Sequence, residues 1–383
     1  MKEKRVITKI EQLSPEWLTS ILKNKGYLSQ GRVTKIIKKN KIDGKNSTIH
    51  FLELIFSNDA QTEPAPPKVV VRIPKTNRPS TTPFNRKSLQ DVMGKHEAKF
   101  YTIVAEMMKE IPIPPCYDTA YSEETGLSHI ILRDLSDTHS EYLNELPSAI
   151  KLQYVYKSID WLAEFHAFWW DHPKLKELSN YSFMFYTFKE NSFNEKEILN
   201  WFENEKQMLN RMLKILGDQI SDTRKELFKT VFSKYPKLAY ERMKQKNITV
   251  IHGDAHHWNF FFPKDMENEK SKTLLNDWEN WSIGTGCQDL SFMLGYCWPP
   301  EPRRALEKEL IKRYHNNLIN LGVKNFSWDE CWYDYRFSAF LNLYKVVSKW
   351  GYEYLPSDWW ATLESSFFTI EDLNCIELLG SKE

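Results

Sequence analysis

Apolar and polar positions change their period once along the chain. In the first third, apolar residues mostly alternate with polar ones at a spacing of two, the signature of half-buried strands. Residues 31–38 and 47–57 are expected as a pair of strands. Within the second, His50, Leu52, Leu54 and Phe56 alternate with Phe51, Glu53 and Ile55, which implies a sheet covered on part of both faces. Lys68 to Ile73 is a third strand, and 115–121 and 128–133 are two more. A short helix opens at Ser14-Pro15-Glu16, with Ser14 as cap and Pro15 in the first turn, and ends near Gly26. A longer one runs from about Arg86 to Glu110 and is stopped by Pro112. Residues 60–67, rich in Pro, and Pro74 to Asn85, rich in Pro and Thr, read as surface loops, the second of them mobile. These elements predict a five-stranded antiparallel sheet with one helix packed on it.

Past Ser136 the spacing becomes helical. Helices are expected over about 145–170, 194–216 and 222–245, then 288–296, 303–321, 328–350 and 357–370. Between the two groups, 248–252, 259–263 and 272–276 read as short strands. A chain of 383 residues suits two lobes better than one small core. The net charge of +1 gives no reason to expect a nucleic-acid or membrane-surface partner. Five cysteines, odd in number and without C-x-x-C spacing, read as reduced and packed. Neither a secretory h-region nor an apolar run of membrane-spanning length is visible. Oligomeric state is not legible.

The chemistry concentrates in Val250-Ile251-His252-Gly253-Asp254-Ala255-His256-His257-Trp258-Asn259. A short apolar strand leads into Asp254, Asn259 follows five residues later, and Asp277 comes eighteen residues after that. Phosphoryl transfer needs these parts in this order: a carboxylate to orient the attacking hydroxyl, then an amide and a carboxylate to hold magnesium. Protein kinases use H-R-D-x-x-x-x-N followed by D-F-G. Here Asp254 is the candidate base, and Asn259 and Asp277 are the candidate magnesium ligands. The blander reading, polar residues at turns and strand ends, explains each alone but not their order. A zinc hydrolase built on His252, His256 and His257 is the other reading; the Asp falls in the wrong place among them, and no further Cys or His cluster supports it.

These residues resemble the aminoglycoside phosphotransferase and choline kinase superfamily, whose signature is H-G-D-x-x-x-x-N followed by an Asp next to Trp or Phe. The ecdysteroid-kinase-like branch is the most similar. Val70-Val71-Arg72, the helix from Glu97 to Tyr101, Ile131 to Ser136 and Leu162 to Ala167 fall in the family's order, over roughly residues 15–350. The resemblance implies an α+β, bilobal, protein-kinase-like fold with a small antiparallel-sheet N-lobe and a mostly helical C-lobe. It implies residues 1–136 as nucleotide lobe and 137–383 as catalytic and acceptor lobe. It also implies ATP and Mg2+ as cofactors, a small-molecule hydroxyl as acceptor, and a cytoplasmic location where ATP is available. A catalytically silent nucleotide-binding module of the same fold stays as an alternative.

Several further positions take their roles in that frame. Arg72, on the third strand, is the cation for the α- and β-phosphates, and Lys75 is the fallback. Glu97 shares a helix face with Phe100, Tyr101 and Val104, so its carboxylate needs a buried partner, and Arg72 is the obvious one. Gly44, Asn46 and Ser47 form the loop over the phosphates, although a plain hairpin turn would look the same. Leu132 and Asp134 lie in the expected hinge, where backbone groups meet adenine. His252 braces the active loop, His166 reads as a packed core histidine, and Asp289 as a structural cap of the helix it opens. The aromatic run from Tyr296 to Trp360 is either helix packing or a box for an apolar or singly cationic acceptor.

Overall fold

The computed structural model describes residues 5–44, 47–60, 66–75, 89–141, 152–178, 188–189, 192–193, 195–268 and 271–380. Asn46, the loop expected over Pro74 to Asn85 beyond Lys75, and the predicted starts of the helices near 86 and 145 lie outside them. The chain forms two compact units: residues 1–141 with 261–279, and residues 142–260 with 280–383.

The first unit is built on a five-stranded, wholly antiparallel sheet, as the alternation predicts. In spatial order its strands are Val33–Asp43, Ser47–Phe56, Lys68–Pro74, Ser128–Arg133 and Cys116–Tyr121. Leu52, Leu54, Val69, Val71, Ile73 and Ile131 point into one core with Leu18, Ile21 and Leu22 of the helix Pro15–Asn24. Ser14 caps that helix by accepting from Trp17 N. Ile55, one step out of phase, is exposed, so the second face is covered only in part. The helix Leu89–Lys99 continues through a π-helical turn, Phe100–Val104, to Ala105–Met107. A smaller three-stranded sheet joins His139–Glu141, Phe260–Pro263 and Leu274–Leu275. His139–Glu141 is too short and polar to have been read from spacing.

In the second unit the helices dominate. Leu152–Trp169, Glu195–Leu216, Asp222–Met243, Pro300–Asn320, Trp328–Gly351 and Pro356–Asp372 match the predicted spans closely. The predicted helix 288–296 is instead one α-turn, Cys287–Leu290, followed by a π-turn, Ser291–Tyr296. Thr249–Ile251 pairs with Ser282–Gly284 in a ribbon that the sequence reading did not contain. Trp328–Gly351 buries more than half of its residues, most of them between Tyr335 and Val347. Among the described residues, no helix is long and apolar enough to cross a membrane.

Candidate active site

In the first unit, Arg72 stands on the strand Lys68–Pro74, between Ile49 and Ile130 of its neighbours. Its guanidinium pairs with Glu97, which is 3% exposed on the predicted Phe100, Tyr101 and Val104 stripe. Arg72 also reaches Glu279 at 3.0 Å and Asp277 at 3.5 Å. Burial works against the charge of Arg72, but the carboxylates of Glu279 and Asp277 outweigh it and hold its pKa above the ordinary value. The fork of guanidinium donors is what lets one residue serve three carboxylates. Of these three, the sequence pattern pairs only Glu97 with Arg72.

Asp277 follows the strand Leu274–Leu275 with φ +66°, a left-handed conformation uncommon for a residue with a side chain. Its neighbours fix that turn. Trp278 is fully buried, stacks on Phe100 at 3.8 Å and donates from Nε1 to Leu275 O. Tyr101 OH donates to the side chain of Asn276. Phe100 and Tyr101 belong to the π-turn, so the same helix that carries Glu97 also holds the Asp277 turn.

The other positions in this unit are less committed. Gly44 and Ser47 flank the tip of the first hairpin, with Gly44 N donating to Ser47 O at 2.9 Å. Leu132 is buried on the strand Ser128–Arg133. Asp134, just past that strand, donates its N–H to Lys68 O and accepts from Ser136 N.

The second unit holds the H-G-D loop. The fully buried carboxylate of Asp289 accepts from His252 N at 2.7 Å and Gly253 N at 2.8 Å, and pairs with His166 Nε2 at 3.2 Å. His166 in turn contacts Tyr314 OH at 2.8 Å. Asp289 is therefore structural, as expected, but it is not a helix cap; no side chain caps the turn Cys287–Leu290. Burial alone would raise the Asp289 pKa, but the hydrogen bond and charge of His166, with His252, hold it below the ordinary value.

Gly253 has φ +80°, and a Cβ there would lie 2.2 Å from Asn280 O, so only glycine fits. His252 braces the loop as expected: its Nδ1 accepts from Asp254 N. The Asp254 carbonyl accepts from His256 N and from the Asn259 side-chain amide at 3.0 Å. The loop backbone is thus pinned, yet among the described residues no hydrogen bond ends on the Asp254 carboxylate. The ring of His256 approaches it, with Nε2 at 3.6 Å. His257 is buried, and burial together with His256 pushes its pKa down to about 3. Among the described residues, no group of three or more His, Cys, Asp or Glu is placed to hold a metal ion.

Two residues near Asp254 were missed by the sequence reading. Lys345 and Lys349 stand one turn apart on the Trp328–Gly351 helix. Lys345 Nζ donates to Gly253 O and lies 4.2 Å from the Phe292 ring centre, and Lys349 Nζ lies 5.0 Å from that of Tyr296. The rest of the aromatic run is mostly core. Trp298, Tyr335 and Trp359 are buried, Tyr335 OH donates to Glu307, and Trp332 stacks between Trp328 and Tyr335.

A family model described as the ecdysteroid kinase-like family matches residues 67–324. None of the curated proteins matches the chain. Among solved structures, an ethanolamine kinase of Plasmodium vivax aligns at 12% identity over 88% of this chain and 82% of its own, with a TM-score of 0.52. A choline kinase of Streptococcus pneumoniae aligns at 10% identity over 94% and 98%, with a TM-score of 0.46. The GDP complex of an aminoglycoside 2'-phosphotransferase aligns at 13% identity over 94% and 98%, with a TM-score of 0.48.

Proposed function

Because the chain belongs to the ecdysteroid kinase-like family and has a protein-kinase-like fold, we propose that it is a small-molecule kinase. It uses ATP and magnesium to phosphorylate a hydroxyl. The observation that carries this is the Asp254 loop. Its backbone is clamped by Asp289, His252 and Asn259, while its carboxylate is left available. A general base requires that combination: fixed position and uncommitted oxygens.

In this reading the hydroxyl donates its proton to Asp254 as its oxygen attacks the γ-phosphorus. The new O–P bond forms, the bond from the γ-phosphorus to the bridging oxygen breaks, and ADP leaves with that electron pair. Asn259 and Asp277 would hold magnesium. The donor set fits a hard cation: Asn259 commits its NH2 to Asp254 O, which leaves its oxygen, and Asp277 makes only a long contact with Arg72. When bound, the metal neutralises phosphate charge. Arg72, oriented by Glu97, serves the phosphates, and Gly44, Asn46 and Ser47 supply the groups that cover them. The segment at Leu132 and Asp134 receives adenine. Residues 1–136 act as the nucleotide lobe and 137–383 as the catalytic and acceptor lobe.

A magnesium–ATP turnover screen over a panel of hydroxyl compounds tests the activity. ATP binding with no turnover of any acceptor would favour the silent module. For the metal, Asp277→Asn is expected to weaken Mg–ATP binding by an order of magnitude or more while changing metal-free ATP binding little, because the amide lacks the charge that attracts the ion. Equal calorimetric affinity of both proteins for Mg–ATP would remove Asp277 from the ligand set.

A further inference from the structure

The surroundings of Asp254 carry more positive charge than the base alone needs. Lys345 and Lys349 project from the same face of one helix, four residues apart. Both ammonium groups lie within electrostatic reach of Asp254. Asp289 also acts on Lys345, but its oxygens already accept from His252 and Gly253 and pair with His166. Among the described residues neither lysine forms an ion pair. Lys345 bonds a carbonyl, Gly253 O, and Lys349 meets Asp358 O at 3.5 Å and the side chain of Tyr296. Two cations therefore share the field of one available carboxylate.

Their positions also settle what the aromatic rings can do. Phe292 and Tyr296 are buried and stack at 4.8 Å, and they are the rings nearest these ammonium groups. Cation–π attraction places a positive charge over a ring face. Here the chain's own lysines take up that role. A cationic acceptor would find the ring partners occupied and would meet two like charges. His256 adds a polar group on the same side: its buried Nδ1 has no hydrogen-bond partner among the described residues, and its ring lies 6.4 Å from Phe292.

We propose that Lys345 and Lys349, beside Phe292, Tyr296 and His256, form an acceptor subsite for an organic anion, so that the substrate is a hydroxyl compound bearing a carboxylate or similar acidic group. This rests on the kinase reading and narrows its acceptor. It replaces the apolar or singly cationic acceptor that the aromatic residues alone suggest. Lys345 has the additional task of holding Gly253 O, so Lys349 is the residue whose charge is most available. The uncompensated pull of burial, which lowers the Lys345 pKa, would be relieved by a bound anion.

The test uses three compounds on one framework: para-hydroxymethyl benzoate, its neutral amide, and para-hydroxymethyl benzylamine. Binding is followed by calorimetry and Mg–ATP turnover by ADP release, in the full chain. The benzoate should bind and react better than the benzylamine by about tenfold or more, the scale of one hydrogen bond to a charged group. Lys349→Met should abolish that advantage through KM for the benzoate, with KM for ATP unchanged. Lys349→Arg should keep it, and Lys349→Glu should shift preference toward the benzylamine. A wild-type preference for the amine, or no discrimination among the three, would overturn the proposal. So would an equal loss for all three compounds in Lys349→Met. Anion-selective binding that Lys349→Met abolishes, without turnover of any compound, would instead uphold the subsite and count toward the silent module.

Discussion

Asp254→Ala is expected to lower kcat by about 10²- to 10⁴-fold, the usual worth of a positioned general base, with nucleotide affinity retained. The structure gives a reason to expect this variant to fold. The loop is held through its backbone: His252 N and Gly253 N on Asp289, Asp254 N on His252, and Asp254 O on Asn259. None of these bonds uses the Asp254 side chain. Its loss removes a carboxylate that lies near His256, Lys345 and Lys349 and leaves the scaffold intact. Asp254→Asn is the closer control, since it keeps the volume and removes the basicity. Steady-state kinetics with an acceptor from the turnover screen, a KM for ATP and a thermal melt separate the cases. Turnover at the wild-type rate with unchanged melting would take Asp254 out of the mechanism.

The sequence carried the local part of this site and missed the distant part. Strand alternation located all five strands of the main sheet, because a one-residue slip would put Leu52 and Leu54 in water. Helical spacing placed Glu97 on a buried stripe, and burial of a carboxylate then demanded a cation; Arg72 is there. Asp254 and Asn259 sit in one short loop, so their pairing follows from spacing alone. Glu279, by contrast, reaches Arg72 across about two hundred residues of chain, and Lys345 meets Gly253 across 92. No periodicity encodes such contacts. Lys345 and Lys349 look like the polar face of an amphipathic helix; only their contacts with Gly253 O and with the Phe292 and Tyr296 rings set them apart. Asp289 was misread for a related reason: an Asp at the start of a helix is usually a cap, and only its partners show that this one serves another segment.

Those partners make Asp289 the site of the second large effect. Asp289→Ala is expected to cost about 3–5 kcal/mol of stability, the range for removing one partner of a buried charged network. The substitution orphans the N–H groups of His252 and Gly253 and strips His166 of a partner that it holds at 3.2 Å. Asp289→Asn keeps one accepting oxygen and should cost less, about 1–3 kcal/mol. The pH dependence has a definite sign. The folded-state pKa lies below the ordinary value of 3.8, so the folded state holds its proton less readily than the unfolded chain. Asp289 therefore contributes its full stabilisation above the unfolded pKa and loses it as pH falls through the lower, folded one. Other carboxylates titrate in the same window, so the informative quantity is the difference between wild type and Asp289→Asn. That difference should be largest near neutrality and shrink as pH drops below about 3.8. Urea denaturation at several pH values measures it. A difference that stays constant down to the acid transition would mean that the charge of Asp289 does not stabilise the fold. Because the same carboxylate fixes His252 and Gly253, the loop that carries Asp254 should loosen with it, and kcat in Asp289→Asn should fall even at pH 7, where most of the protein is still folded.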